Sequence, residues 1–369
     1  MLYQQHRIYQ IELHEGEQQS AGDFAAARIN EILFNALQRK ASDIHFEPQK
    51  DGLCVKFRCD GVLQEVAVEP LELQPLIINR IKVMAELDSM ERRLPQDGHM
   101  AVCSEGVQYD LRVSTLPLYQ GEKIVLRILG QQEQLRGLHE LGFTDENLKK
   151  AELLLQMPNG IVLVCGPTGS GKTTTLYSML ASLRGSGKNI VTLEDPVEYE
   201  MAGINQVQIN ERTGLTFARG LRSILRQDPD IIMVGEIRDL ESAEIAIRLA
   251  YTGHRVFASL HTGDALGAVN RMVELGIAPH LLASCLNGVI AQRLVRKKQH
   301  GVLEGRIALQ EILVCDDRIR QQISRYESFL EHQSDIQGTY PSLLQDGKRK
   351  ASQGLTTMQE VSAVLGPCL

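Results

Sequence analysis

The chain has 369 residues, more than one domain usually holds, so we expect two domains. Its apolar content of 43% is that of an ordinary globular protein, and its formal net charge of -7 argues against a partner nucleic acid. No apolar run approaches the roughly 18 residues of a membrane span, and the polar first residues lack a signal-peptide core. We therefore expect a cytoplasmic protein without a transmembrane segment.

The cysteines argue against a metal centre. There are seven, scattered along the chain, and none forms a CxxC pair. Cys54 and Cys59 alternate with apolar residues in LCVKFRC, which favours buried strand thiols over zinc ligands. We expect no zinc.

The first part of the chain predicts an α+β domain over residues 22–130, after an N-terminal extension of residues 1–21. Apolar residues recur at helical spacing in 23–40, and a second helical stretch covers about 71–87. Short alternating runs predict the strands, which are SDIHFEP (42–48), LCVKFRC (53–59), VLQEVAV (62–68), VQYDLRVSTLP (107–117) and EKIVLRIL (122–129).

After a polar connection over residues 131–140, the rhythm changes to continuous apolar strands that alternate with helices. The predicted strands are IVLVC (161–165), NIVTLED (189–195), DIIMVGE (230–236) and RVFASLHT (255–262). This pattern is typical of an α/β domain with a mostly parallel sheet covered on both faces, here over 141–315. Residues 316–369 predict a helical C-terminal region.

One segment carries the chemistry of phosphate binding. GPTGSGKT (166–173) follows a predicted strand, precedes a predicted helix and fits the P-loop pattern G-x-x-x-x-G-K-[ST]. Its glycines let backbone N–H groups approach oxygen anions, and the following helix presents its positive end. Lys172 would contact the outer phosphates, and Thr173 would offer a hydroxyl to Mg²⁺. The predicted nucleotide-binding residues are Gly166, Pro167, Thr168, Gly169, Ser170, Gly171, Lys172, Thr173 and Thr174.

Two carboxylates follow predicted strands of the same sheet. Glu236 ends DIIMVGE, and Glu194 ends VTLE. The carboxyl ends of parallel strands meet at one edge, so both acids are expected beside the terminal phosphate. One would orient the metal ion and the other would polarise the attacking water. Taken alone, Glu194 could equally be a solvated acid at a strand end.

Seven segments in a fixed order resemble the secretion ATPases that drive type II secretion and type IV pilus assembly, over about residues 22–365. They are ASDIHFEP, RLPQDG, GPTGSGKTTTLYS, TLEDPVEY, GINQVQIN, LRSILRQDPDIIMVGEIRDLESAEIAI and TGHRVFASLHT. The resemblance implies a RecA-like P-loop domain after a PAS-like α+β domain, a homo-hexameric ring, and ATP hydrolysis with Mg²⁺ coupled to domain rotation. It also implies a location at the cytoplasmic face of the inner membrane, on a membrane platform protein.

The resemblance assigns roles residue by residue. Lys172 and Thr173 match the P-loop, and Glu194 matches the catalytic glutamate of the aspartate box. Glu236 matches the second acidic motif and would hold Mg²⁺ through water. His261 falls in the histidine box as a phosphate sensor, although a histidine at a strand end is more often structural.

Four arginines complete the predicted catalytic set. Arg112 and Arg127 lie in strands of the first domain, where an arginine is usually solvated; the resemblance implies that this domain closes over the nucleotide. Arg222 and Arg226 share one helical face and are expected at a ring interface.

The chain departs from many assembly relatives in two ways. Only about 20 residues precede the first helix, so we expect that the large N-terminal domain is absent or has been trimmed, and no CxxC zinc module follows QRLVRK. The basic cluster Arg293, Arg296, Lys297 and Lys298 reads as a solvated turn, with a lipid or platform contact as the alternative.

The compact layout would also suit a retraction motor. Two further hypotheses are a nucleotide-gated scaffold with little hydrolysis and a nucleic-acid translocase. The two acids argue against the scaffold. The translocase ranks last, because aromatic residues make up only 5% of an acidic chain.

Overall fold

The computed structural model describes residues 8–11, 21–129 and 136–366, apart from the side chains of Ala21, Arg212 and Ser328. The chain divides into two compact units, Met1–Gln132 and Glu133–Leu369. Residue 130 of the predicted α+β domain, residues 131–135 of the predicted connection, and residues 1–7 and 12–20 of the predicted extension lie outside the described part.

The first unit is a seven-stranded sheet with two helices. The strand order is β1-β5-β6-β7-β2-β3-β4, and only β1 and β5 pair in parallel. The strands are β1 (Ile8–Gln10), β2 (Asp43–Gln49), β3 (Gly52–Cys59), β4 (Val62–Glu69), β5 (Gln96–Ser104), β6 (Val107–Leu118) and β7 (Gly121–Ile128); the helices are α1 (Ala21–Gln38) and α2 (Gln74–Met84).

Strand alternation explains how this sheet buries one face. Ile44, Phe57 and Leu126 are cross-strand neighbours and pack with both helices in one apolar core. Their chain neighbours Asp43 and Arg127 belong to the opposite, polar face. The five predicted strands and both helices are confirmed, but β5 was not predicted, because QDGHMAVCS begins with polar turn residues. Residues 8–11, assigned to the extension, join this sheet and its core.

The second unit is an α/β sheet of seven strands in the order β10-β9-β11-β12-β8-β13-β14. All neighbours pair in parallel except β13 and β14, which form an antiparallel hairpin. The strands are β8 (Gly160–Cys165), β9 (Ile190–Glu194), β10 (Asn205–Gln208), β11 (Ile231–Val234), β12 (Arg255–Leu260), β13 (Leu286–Gln299) and β14 (Val302–Val314). The predicted mostly parallel α/β fold is thus confirmed.

Helices cover both faces of this sheet, because its central strands are mostly apolar and every residue of β8, β9 and β11 is buried. The helices are α3 (Asp145–Gln156), α4 (Lys172–Leu183), α5 (Phe217–Ile224), α6 (Leu240–Tyr251), α7 (Ala265–Glu274), α8 (Pro279–Cys285), α9 (Asp317–Ser324), α10 (Tyr326–Glu331), α11 (Gln333–Gln337), α12 (Leu343–Ser352) and α13 (Met358–Leu365). Of the helices in 21–129 and 136–366, none is long and apolar enough to cross a membrane.

Side-chain caps fix where most of these helices begin. An oxygen of the preceding residue accepts a hydrogen bond from an N–H of the first turn, which stabilises each helix by about 1 kcal/mol. The capping residues are Thr144, Thr216, Asp239, Asp264, Asp316, Ser342 and Thr357.

The prediction of a solvated turn at the basic cluster was wrong. Residues 293–298 lie within β13, one strand of the longest hairpin in the second unit. The Arg296 guanidinium pairs with Glu360 of α13 at 2.5 Å, and Arg293 is half-buried. A run of basic residues is compatible with a long hairpin strand as well as with a turn. The sequence pattern alone therefore did not distinguish a strand from a turn here.

A buried carboxylate ties the C-terminal helices, which were predicted correctly, to the rest of the unit. Glu311 of β14 accepts hydrogen bonds from the N–H of Ala265 (2.7 Å) and of Leu343 (3.0 Å), the first residues of α7 and α12. Burial raises its pKa. One side chain thus serves the N-termini of two helices from different parts of the chain.

An ion pair inside α12 makes a stability prediction possible. Asp346 and Lys350 are buried and joined at 2.7 Å; Lys350 also donates to Ala308 O, and Asp346 accepts from the Gln310 N–H. Removing one member of a buried pair leaves the other charge without its partner. We therefore expect Asp346→Ala to lower the free energy of unfolding by about 3–5 kcal/mol in urea titrations.

The matched control is Glu146, paired with Lys150 at the same helical spacing on the surface of α3. Glu146→Ala should change the free energy of unfolding by about 0–1 kcal/mol. Equal losses in the two variants would contradict the assignment of stability to the buried pair.

Candidate nucleotide site

The predicted P-loop, Glu194, Glu236 and His261 gather at one edge of the sheet of the second unit. Strands β8, β9, β11 and β12 are parallel neighbours, so their carboxyl ends lie side by side. These ends lead into the P-loop, Glu194, Glu236 and His261, respectively.

The P-loop joins β8 to α4 through glycines with left-handed backbone conformations. Gly169 (φ +77°) and Gly171 (φ +87°) occupy the left-handed region, where a side chain would be strained. Gly171 is the N-cap of α4, so the loop ends at the positive end of a helix. Pro167, Thr168 and Ser170 lie within this loop; Thr174 follows in the first turn of α4.

Lys172 is held within the loop. Its Nζ donates to Gly166 O at 2.8 Å and to Pro167 O at 3.0 Å. Burial lowers its pKa, while the nearby Glu236 carboxylate acts in the opposite direction.

Glu236 lies at the centre of a polar cluster at the mouth of a cavity of about 450 Å³. Its Oε2 accepts from Arg238 Nε at 2.8 Å, and its Oε1 lies 3.1 Å from His261 Nε2. Arg238 also reaches Asp195 at 3.5 Å. Burial and the charge of Lys172 lower the pKa of His261, while the nearby Glu236 carboxylate acts in the opposite direction.

Glu194 is buried, unlike the solvated acid that was its alternative reading. Its Oε1 accepts from Thr192 Oγ1 at 2.5 Å and from Gln206 Nε2 at 3.3 Å, and the Tyr177 hydroxyl donates to its Oε2. Burial raises its pKa and outweighs these hydrogen bonds, which lower it. Both carboxylate oxygens of Glu194 thus already accept hydrogen bonds from side chains.

The chain brings the two acids close together through the main chain. The Gly235 N–H donates to Leu193 O at 2.8 Å, and a Cβ on Gly235 would lie 3.2 Å from Glu194 Cα. Glycine fits this close approach best, because a side chain at position 235 would crowd the Glu194 backbone. Glu194 and Glu236 thus lie at the ends of the adjacent strands β9 and β11.

The structure does not bring Arg222 and Arg226 into this cluster. Arg222 pairs with Glu241 of α6, and Arg226 Nη1 donates to Arg222 O at 3.1 Å; both side chains are exposed. Among the described residues neither contacts the P-loop, Glu194 or Glu236.

Arg112 and Arg127 are cross-strand partners in the first unit, on its polar face. Both are exposed, and Arg127 Nε donates to Asp43 at 2.9 Å. Arg58 of β3 lies 3.7 Å from the same carboxylate. The arginines thus form a row across neighbouring strands of one unit.

Sequence reasoning missed several residues of the site. Arg238 lies two positions after Glu236 in GEIRD and could have been suspected from that spacing. Tyr177 and Gln206 are identified only by their contacts with Glu194. Gln292 Nε2 donates to Ser170 O of the P-loop at 2.6 Å, from a strand that was not predicted.

The donor set fits Mg²⁺. Thr173 offers a hydroxyl that makes no hydrogen bond within 21–129 and 136–366, and Glu236 offers a carboxylate close to Lys172. Mg²⁺ prefers oxygen and takes one or two protein ligands beside waters and substrate phosphates. In the same described ranges no group of three or more His, Cys, Asp or Glu is arranged to hold a metal ion.

Comparisons with known proteins identify relatives over most of the chain. The sequence model of the family described as "Type II/IV secretion system protein" matches residues 18–363. The chain is 44% identical to the type II secretion system protein E of Pseudomonas aeruginosa and 43% identical to the type II secretion system ATPase E of Vibrio cholerae; each match covers 91% of this chain and 74% of the relative.

Solved structures share the architecture. The pilus retraction motor PilT with bound ADP is 31% identical, with a TM-score of 0.66 over 90% of this chain and 95% of that one. The ATPase DotB of Legionella pneumophila has a TM-score of 0.75 over 96% and 98%; at 23% identity it supports the fold alone. This chain therefore belongs to the type II/IV secretion system protein family and is one of its P-loop ATPases.

Proposed function

We propose that this chain is the motor subunit of a homo-hexameric ring that hydrolyses ATP. The ring would power assembly of a type IV pilus, a competence pseudopilus or a type II secretion pseudopilus. In this proposal it works in the cytoplasm, at the cytoplasmic face of the inner membrane, on a platform protein and without nucleic acid. The supporting observation is the convergence of Lys172, Glu194, Glu236 and His261 on one sheet edge of a secretion-family chain.

The P-loop and its neighbours would bind the phosphates of ATP. The loop N–H groups and the α4 N-terminus favour the anion, and Lys172 would move from its carbonyl partners to the outer phosphates. Mg²⁺, held through Thr173 and Glu236, would neutralise charge on the phosphate oxygens. His261, whose Nε2 lies 3.1 Å from Glu236 Oε1, would respond to the state of the terminal phosphate.

Glu194 is the proposed water-activating carboxylate, and its raised pKa suits a base near neutral pH. Its oxygens accept three hydrogen bonds, and a carboxylate has about four acceptor sites, so Oε2 could still accept from a water. Glu198, four residues later, is the rival, because it is exposed and its own N–H donates to Tyr177 Oη at 3.3 Å. In that case Glu194 would orient Tyr177 and the strand end.

The arginines would act across protomers. Arg112 and Arg127, on the polar face of the first unit, would contact nucleotide phosphates when that unit closes, and Arg222 and Arg226 would contribute from the ring interface. A completed arginine contact can increase the rate by about 10³–10⁵. ATP energy would thereby rotate one unit against the other.

Retraction is the second candidate function, supported by the similarity to PilT. Assembly or secretion is favoured because the type II secretion relatives are 43–44% identical, against 31% for the retraction motor.

Replacing Lys172 tests the phosphate site. Lys172→Ala removes a charge-assisted contact, so we expect the affinity for ATP to fall about 10–100-fold in equilibrium binding. Lys188→Ala is the control: Lys188 pairs with Asp230 at the amino-terminal edge of the sheet and should leave affinity unchanged. Unchanged affinity in Lys172→Ala would count against the P-loop assignment.

Replacing the buried acid tests the base. Glu194→Gln keeps the shape but removes the proton acceptor, so we expect turnover to fall about 10²–10⁴-fold while ATP still binds. Glu198→Gln is measured beside it. Lost turnover in Glu198→Gln, with activity retained in Glu194→Gln, would transfer the base to Glu198.

Steady-state phosphate release with Mg-ATP across protein concentrations tests the ring. If protomers share sites, the activity per subunit should rise with concentration, because assembly completes each site. Activity per subunit that is constant across the range would contradict shared sites. Binding without turnover at every concentration would favour the scaffold.

A further inference from the structure

Gln292 links strand β13 to the P-loop through both ends of its side-chain amide. The side chain is buried; its Nε2 donates to Ser170 O at 2.6 Å, and its Oε1 accepts from Thr175 Oγ1 at 2.7 Å. A carbonyl oxygen can only accept a hydrogen bond, so the Gln292 atom that contacts Ser170 O must be the amide nitrogen Nε2. The two contacts join the loop and α4 to one residue of a neighbouring strand.

The loop glycines show how closely Gln292 packs. A Cβ on Gly171 would lie 2.6 Å from Gln292 Nε2, and a Cβ on Gly166 would lie 2.5 Å from Gln292 O. These are closer than carbon atoms normally approach such groups. The P-loop is therefore shaped against both the backbone and the side chain of this residue.

The contact with Ser170 determines where the next N–H points. In a trans peptide the C=O and the following N–H point in opposite directions. With the Ser170 carbonyl directed at β13, the Gly171 N–H points away from β13. That N–H lies at the start of α4, where a phosphate would be bound.

The same strand also supports the other side of the site. Arg293, which follows Gln292 and so points to the opposite face of the sheet, donates from Nη2 to Gly263 O at 2.7 Å. Gly263 lies two residues after His261. Strand β13 thus touches both the P-loop and the loop that carries the predicted sensor.

We infer that Gln292 is a positioning residue for nucleotide binding: it holds the Ser170–Gly171 peptide so that its N–H faces the phosphates. The residue acts through the loop and does not touch the nucleotide. This inference rests on the proposed function of the same site, and a displacement of about 1 Å can cost roughly 100-fold in rate.

The chain offers a matched control. Gln310 lies directly opposite Gln292 in the hairpin and is equally buried, but its side-chain amide has no hydrogen-bond partner in the described part of the chain. Methionine is similar to glutamine in size and cannot reproduce the amide hydrogen bonds. Gln292→Met and Gln310→Met therefore differ chiefly in the P-loop contacts.

The first readout is the dissociation constant of a fluorescent ADP analogue, measured with and without Mg²⁺. We expect Gln292→Met to weaken binding about 10–100-fold, and to raise KM more than it lowers kcat in ATP hydrolysis. Gln310→Met should bind within about twofold of the wild-type protein. Thermal unfolding midpoints of both variants separate a binding defect from a general loss of stability.

Thr175 provides a second, milder test. Thr175→Val removes the hydroxyl that Gln292 Oε1 accepts, and Thr175→Ser keeps it, so serine should restore most of the affinity that valine loses. If the Gln292→Met variant does not fold, the affinities of Thr175→Val and Thr175→Ser test the positioning role in its place.

The outcomes distinguish the two hypotheses. Binding within twofold of wild type in Gln292→Met, or equal losses in Gln292→Met and Gln310→Met, would overturn the positioning role. Wild-type protein that binds the analogue normally but shows no turnover would overturn the motor function and leave the positioning role supported by binding alone.

Discussion

The parallel pairing of β9, β11, β12 and β8 is the constraint on which the second unit depends. Parallel strands in register end together, so four segments separated by up to about a hundred residues reach one edge. The same register places Gly235 against Leu193, which sets Glu194 and Glu236 side by side. A shift of one residue in the pairing of any two of these strands would turn the side chains of one strand to the other face of the sheet, and the site residues would no longer lie together.

The charged groups of the site already have protein partners. Lys172 donates to carbonyls of its own loop, and Glu236 accepts from Arg238 and lies 3.1 Å from His261 Nε2. Nucleotide binding would therefore exchange existing hydrogen bonds for new ones and would not simply add contacts. Such an exchange would let Arg238 or His261 move when the phosphate binds and return to its protein partner when the phosphate leaves.

The sequence predicted what depends on local pattern: the apolar strands, the P-loop turn and the acids at strand ends. It did not predict what depends on distant partners. Tyr177 is 17 residues from the carboxylate it contacts, and Gln292 is 122 residues from Ser170. The hairpin β13–β14 was missed because the charged end of β13 has the composition of a turn, and its pairing with β14 cannot be read from composition. The cysteine reading agrees with the structure in part, since Cys54 is buried and Cys59 is half-buried.

The hydrogen bonds of Glu311 bear on how far the chain could be shortened from its C-terminal end. Its two oxygens are shared between α7, which follows the His261 loop, and α12, near the end of the chain. If α12 were removed, one oxygen of a buried carboxylate would lose its donor, and the strand that carries Gln310 would lose the Asp346 acceptor as well. The C-terminal helices thus satisfy buried groups of β14, the strand paired with the strand of Gln292, and a fragment that keeps this hairpin intact would have to include them.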